Sequence, residues 1–169
     1  MRQRILEEAA VLRHRDRLVV AGRYLLAILI GNLLWEAAQI PLYTIWRDGS
    51  PGQIAFAVIH CSGGDLLIAS AALLGALILL CGRQWPRRRF GVIGAIAVGG
   101  GLAYTVFSEW LNTDIRGSWT YSAWMPKLPV IGTGLAPLGQ WMVVPPLALL
   151  WARHGIRLAE DGPQRAAQR

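Results

Sequence analysis

Trp35-Glu36-Ala37-Ala38-Gln39-Ile40-Pro41-Leu42-Tyr43 closes an apolar run that begins near Tyr24, and it sets polar groups inside what reads as a membrane-spanning helix. Asn32, Glu36, Gln39 and Tyr43 follow one another at intervals of four, three and four. At roughly 100° per residue they fall within an arc of about 60°, which makes a stripe on one face. A carboxyl group in hydrocarbon is costly unless it is neutralised, hydrated or paired. The stripe is therefore expected to face other helices or a wet cavity, away from lipid.

Composition widens this reading to the whole chain. At 169 residues there is room for one domain, and a 54% hydrophobic, 16% charged chain is too apolar for a soluble domain of that size. The alternative, a soluble all-α bundle, is disfavoured because the long apolar segments carry no alternating charged face. The expected fold is all-α: a polytopic membrane protein, a bundle of four transmembrane helices over about residues 24–43, 54–81, 90–110 and 132–151. Residues 1–23 read as a basic segment in which Ile5, Leu6, Ala9, Leu12 and Val19 lie among arginines, either an amphipathic helix at the interface or a disordered tail. Residues 152–169 read as a short polar, frayed tail. No cleavable signal peptide is visible, because the first residues are charged where an apolar region would sit.

The net charge of +7 does not call for nucleic acid once its distribution is considered. Arg2, Arg4, Arg13, Arg15, Arg17 and Arg23 precede the first span. Arg83, Arg87, Arg88 and Arg89 separate the second from the third, and Arg153, Arg157, Arg165 and Arg169 follow the fourth. Only Arg47, Arg116 and Lys127 fall in the other loops. By the positive-inside rule both termini and the middle loop are cytoplasmic, and the expected location is a bacterial cytoplasmic (inner) membrane. The bilayer is then the first partner.

That topology makes the polar groups comparable in depth. Glu36 lies about 10 Å below the outer end of span one, His60 about 9 Å and Asp65 about 16 Å into span two, and Glu109 at the mouth of span three. Nothing ionisable is expected in the inner half of any span. Three carboxyls and one histidine without a buried Lys or Arg cannot all be charged, since desolvation and mutual repulsion both oppose it. Glu36 and Glu109 are candidate acid and base, with His60 and Asp65 tuning them. Asn32, Gln39, Tyr43, Cys61, Asn112, Trp119 and Tyr121 are candidate ligand-binding residues.

Blander readings stand beside these. Asn32 and Gln39 serve equally as hydrogen-bond partners between helices, and the whole cluster could simply hold helices together. Gly91, Gly94, Gly99, Gly100 and Gly101 read as a close-packing seam, which turns polar at Thr105, Ser108, Glu109 and Asn112. Pro137, Pro145 and Pro146 are expected to break or kink span four. His60 and Asp65 are five residues apart, about 140° round a helix, so they form no local pair. His60 could face Glu36 while Cys61 and Asp65 face span three, or the reverse. No cofactor is expected; a divalent metal on these groups is chemically possible but lacks i, i+4 ligand spacing. Cys61 and Cys81 lie about 30 Å apart on one helix and cannot pair. The loop 111–131, with Trp119, Tyr121 and Trp124, reads as an aromatic lid on the outer interface.

Over residues 109–141, Glu109, Gly117, Trp119, Tyr121, Pro126-Lys127, Pro129, Pro137 and Trp141 place an acid before an aromatic loop and a proline-bearing helix. In this order the segment resembles the terminal part of membrane carotenoid-modifying enzymes, the bacterioruberin-type hydratases and their lycopene cyclase relatives. The resemblance covers about a fifth of the chain. Members of that family have more than four spans, and Trp35-Glu36 and His60 to Asp65 have no counterpart in it. It implies a polyisoprenoid ligand and a carboxylic acid that protonates a double bond, a step suited to a desolvated Glu36 or Glu109. The leading expectation is a small intramembrane acid-base enzyme, of lyase, hydratase or isomerase type, acting on a lipid or isoprenoid. The alternatives are a non-catalytic subunit or assembly factor meeting a membrane-protein partner, and an oligomeric proton- or metal-linked transporter.

Overall fold

In the first helix every fourth residue is buried, from Val20 through Tyr24, Ile28, Asn32 and Glu36 to Ile40 just beyond its end. A four-residue step turns the helix by only about 40° past a full circle, so these residues form one continuous seam. The computed structural model describes residues 2–166, with side chains at 12 and 14–154. The first helix, α1, spans Arg2–Gln39 and is followed by a 3-10 turn at Ile40–Leu42. After it come a short α2 at Ile45–Asp48, α3 at Pro51–Leu79 and α4 at Phe90–Trp110. A single π-helical turn follows at Leu111–Ile115, then α5 at Leu135–Ala166. Among the described residues there is no strand, only isolated bridges at Tyr43–Tyr121 and Lys127–Gly134.

The four long helices close a ring: α1 packs on α3 and α5, and α4 packs on α3 and α5. Successive helices alternate in direction, so the turns at 40–50 and 111–134 share one end, here called the acidic end. The loop 80–89 lies at the other, basic end. Four stretches are long and apolar enough to cross a membrane: His14–Leu42, Pro51–Leu79, Phe90–Ile115 and Leu135–His154. Leu34, Leu67, Leu79, Val92, Met142 and Leu147 are exposed on their outer faces. Such an apolar belt is what a bilayer covers and water does not.

Local chemistry explains the boundaries. Pro41 sits inside the turn that ends α1, where its missing N–H costs little. Ser50-Pro51-Gly52-Gln53 starts α3 with a capping box: the Gln53 N–H donates to Ser50 Oγ at 3.4 Å and the Ser50 N–H to Gln53 Oε1 at 2.8 Å. Pro51 occupies the first turn, where no helical donor is needed.

Three sequence expectations change. The basic segment is no separate element, because α1 runs unbroken from Arg2 and, at about 1.5 Å per residue, is some 57 Å long. Its last part joins the bundle: Val20 is fully buried, and Arg17 donates to the carbonyls of Trp85 at 3.0 Å and Gly82 at 3.1 Å. Ile5, Leu6 and Ala9 lie outside the described side chains. Pro145 and Pro146 do not interrupt α5. Neighbouring Trp141, Val144, Ala148 and Leu149 are buried in the core cluster, and that packing outweighs the helical bonds the prolines lose. The tail from Ala152 is likewise helical, through Ala166, and begins with a fully buried Ala152.

The glycine seam of α4 is narrower than its composition implied. Gly94 and Gly101 are buried. A Cβ at Gly94 would lie 3.0 Å from Leu149, and one at Gly101 would run into the Trp141 ring. Gly91 and Gly99 face open space, and Gly100 barely reaches Ala72. Two glycines, seven residues apart on one face, let α5 approach α4.

Candidate functional site

The stripe on α1 meets the polar end of the α4 seam at a cavity of about 790 Å³. Glu36, Gln39 and Tyr43 line it from α1 and its following turn; Phe56, His60, Cys61 and Ile68 from α3; Thr105, Ser108 and Glu109 from α4, with Asn112 just beyond. Arg116, Ser118 and Trp119 of the following loop close over it. Glu36 and Glu109 are each only 7% exposed.

One hydrogen-bond relay sets the floor. The Trp35 indole N–H, which can only donate, bonds to Gln39 Oε1 and to the Ala136 carbonyl, both at 3.1 Å. That fixes the Gln39 amide with its nitrogen toward Gln140 Oε1, at 3.5 Å. The Gln140 nitrogen then donates to Asp65 Oδ2 at 2.7 Å. Every N–H in the series α1, α5, α3 points toward Asp65, which must accept. The same two amides lie close to Glu36.

A second relay sets the roof. The Tyr121 hydroxyl donates to Glu109 Oε2 and accepts from the Gly134 N–H at 3.1 Å. The Trp119 indole N–H approaches Glu109 without reaching good hydrogen-bond geometry. Tyr121 is placed by its backbone bridge to Tyr43, by ring centroids 5.5 Å apart, and by bonds from Thr44 N–H to the Thr120 carbonyl and Ser122 N–H to the Leu42 carbonyl. Burial, and next the carboxyl groups facing it, hold the Tyr43 phenol above its ordinary range. Burial, followed by its bond to Glu109, does the same for Tyr121. Both phenols are therefore neutral donors at the roof.

Eight of the residues singled out in the sequence line the cavity: Glu36, Gln39, Tyr43, His60, Cys61, Glu109, Asn112 and Trp119. Three do not. Asp65 lies a layer deeper, held by Gln140, yet close enough to Glu36 and Glu109 for their charges to act on it. Tyr121 stands behind Glu109. Asn32 is buried a turn below Glu36, its Oδ1 without a partner among the described residues, so the bond between helices expected of it is absent at that atom. His60 is exposed, stacks on Phe56 at 5.3 Å and bonds to no carboxyl group among the described residues, which leaves it no direct grip on the acids. Among the described residues no three His, Cys, Asp or Glu side chains gather to hold a metal ion. Both cysteines are free thiols.

The residue that sequence reading missed is Gln140. It is the one amide in the apolar run 135–151, and that isolation was the available signal, since an amide in such a run needs partners.

No protein-family model, no curated protein and no solved structure matches this chain.

Proposed function

We propose that this chain is a multi-pass protein of the bacterial inner membrane, with both termini cytoplasmic, that performs acid-base chemistry on a lipid or isoprenoid substrate. The observation that carries the reading is the meeting of Glu36 and Glu109 on one cavity, from separate helices, each buried, with Glu109 bonded by the Tyr121 hydroxyl and Glu36 beside the Gln39 and Gln140 amides. Paired carboxyls in unlike surroundings are the usual equipment for moving a proton out and back. Glu109, roofed by Tyr121 and near the mouth, is the candidate acid; Glu36, above the amide relay, is the candidate base. Ile40, Phe56, Ala57 and Ile68 supply an apolar wall for a hydrocarbon substrate. The resemblance of residues 109–141 to carotenoid hydratases and lycopene cyclases agrees with this chemistry and goes no further.

The test is mass spectrometry of lipids that co-purify with the protein, followed by incubation with the bound species in deuterated water. Deuterium incorporation lost in both Glu36→Gln and Glu109→Gln supports the reading. Incorporation unchanged in both overturns it. Orientation is tested separately: Cys81, exposed at the basic end, is expected to resist a membrane-impermeant maleimide in intact cells and to react after lysis.

A second reading, a non-catalytic subunit of a larger membrane complex, draws on Trp124 and Val130, 72% and 94% exposed in the acidic-end loop. It requires a stoichiometric protein partner that survives purification and detaches on Val130→Asp.

A further inference from the structure

We propose that the ligand of this cavity is an amphiphile with a positively charged nitrogen head, an alkylammonium or a larger amine-bearing lipid. This names the substrate class of the site and rests on the reading of the cavity as a lipid site. Glu36, Asp65 and Glu109 share one electrostatic field from three helices. None of the three forms an ion pair among the described residues; the pair between Arg87 and Asp16 lies at the far end of the bundle. The cation on the cavity wall, Arg116, is an exposed loop residue.

The donors on or close to the acids are a phenol, amides and indoles, all neutral, which orient carboxyl oxygens without supplying a counter-charge. What such a site lacks is a buried counter-charge, and a buried carboxylate gains most from one that arrives with the ligand. Tyr43 and Trp119 contribute aromatic surface to the same wall, a lining that favours ammonium groups. Thr105 also lines the cavity and is 6% exposed, yet its hydroxyl has no hydrogen-bond partner. A buried hydroxyl left unpaired in a native wall is best explained by a partner that comes from outside. An anionic head meets repulsion from all three acids, a neutral alcohol leaves them uncompensated, and a metal ion finds no ligand set among the described residues.

The experiment uses the full chain in maltoside micelles, with decylammonium, decanol and decyl sulfate as probes of one tail length, read by tryptophan fluorescence and thermal shift. Decylammonium is expected to bind about ten-fold or more tightly than decanol, with decyl sulfate weakest. Glu36→Gln with Glu109→Gln should erase that preference, while Asp16→Asn at the other end leaves it intact. Should the double variant not fold, Thr105→Val, nearly isosteric, is expected to weaken decylammonium binding by about three-fold while leaving decanol unchanged. Equal affinity for decylammonium and decanol overturns the proposal, as does a preference that survives both sets of variants. Because the readout is binding, its failure leaves the deuterium test of acid-base chemistry standing, and a failed deuterium test leaves the ammonium preference measurable.

Discussion

The two ends of this bundle handle charge in opposite ways. At the basic end Arg17 and Arg89 spend their N–H groups on backbone carbonyls at and beyond the end of α3: Arg17 on Gly82 and Trp85, Arg89 on Leu80 at 3.1 Å. The pair Arg87 to Asp16, at 2.9 Å, has side chains 50% and 21% exposed. At the acidic end Glu36 and Glu109 are withdrawn from water, and Glu109 and Asp65 are answered by neutral donors. Exposed pairs contribute little and cost little, whereas buried charge without a partner opposes folding. A chain that gathers acids away from water without an ion-pair partner carries a stability cost, as buried charge or as enforced protonation, that packing elsewhere must offset, and functional sites are where such costs recur.

The comparison can be broken most sharply at the acids. Glu36→Gln and Glu109→Gln are expected to lower turnover by about 10²–10⁴-fold, with thermal stability unchanged or raised, measured on the same preparation. Lower membrane abundance with unchanged activity per folded molecule would instead make the acidic end a helix adhesive. Next is the core between the two ends: Gly101→Ala forces Trp141 aside and should cost about 1–3 kcal/mol by thermal unfolding in detergent. Gly99→Ala, facing open space, serves as its near-neutral control.

The amide relay comes third. Gln140→Leu leaves Asp65 Oδ2 and the Gln39 amide without their partner and should cost about 1–3 kcal/mol. Combining it with Asp65→Leu should recover part of that loss, which a double-mutant cycle would register as coupling. At the basic end Arg87→Ala should cost less than about 1 kcal/mol and show little salt dependence above physiological ionic strength.

The smallest effect lies in alkaline solution. Burial and the bond to Glu109 hold the Tyr121 phenol above its ordinary value, so above about pH 10 the unfolded chain releases that proton while the folded one retains it. Its contribution is complete below that pH and lost as pH rises beyond it. A melting-temperature profile from pH 9 to 11 should fall, and should fall less steeply in Tyr121→Phe, where the Tyr43 phenol still supplies part of the slope.

How much of this could be read in advance differs by residue. The helix α4 begins and ends where span three was expected, between Arg89 and the polar loop, while the apolar stretch of membrane-crossing length continues to Ile115. Tyr43, Glu36 and Gln39 were placed on one site by spacing alone. Asp65 and His60 were set apart by their spacing, but which neighbours each meets was decided only in the structure. Five residues apart on α3, their roles depend on what packs against each face: Gln140 of α5 against Asp65, Phe56 against His60. Loop 111–131 announced its aromatic character but not its anchor, since the bonds to Leu42 and Thr44 pair segments about eighty residues apart.

Length, hydropathy and the placement of arginines thus determined, without coordinates, that four apolar helices alternate in direction and that acids gather at the end away from the basic loops. Those properties are local: periodicity and charge act over a helical turn or a single span. Tertiary structure alone decided that α5 supplies the amide joining Gln39 to Asp65, that two of five glycines make the close contact, and that Tyr121 reaches back to Glu109. Each of these depends on which faces meet across the ring of helices, and a one-dimensional pattern states which residues share a face but never which face lies opposite.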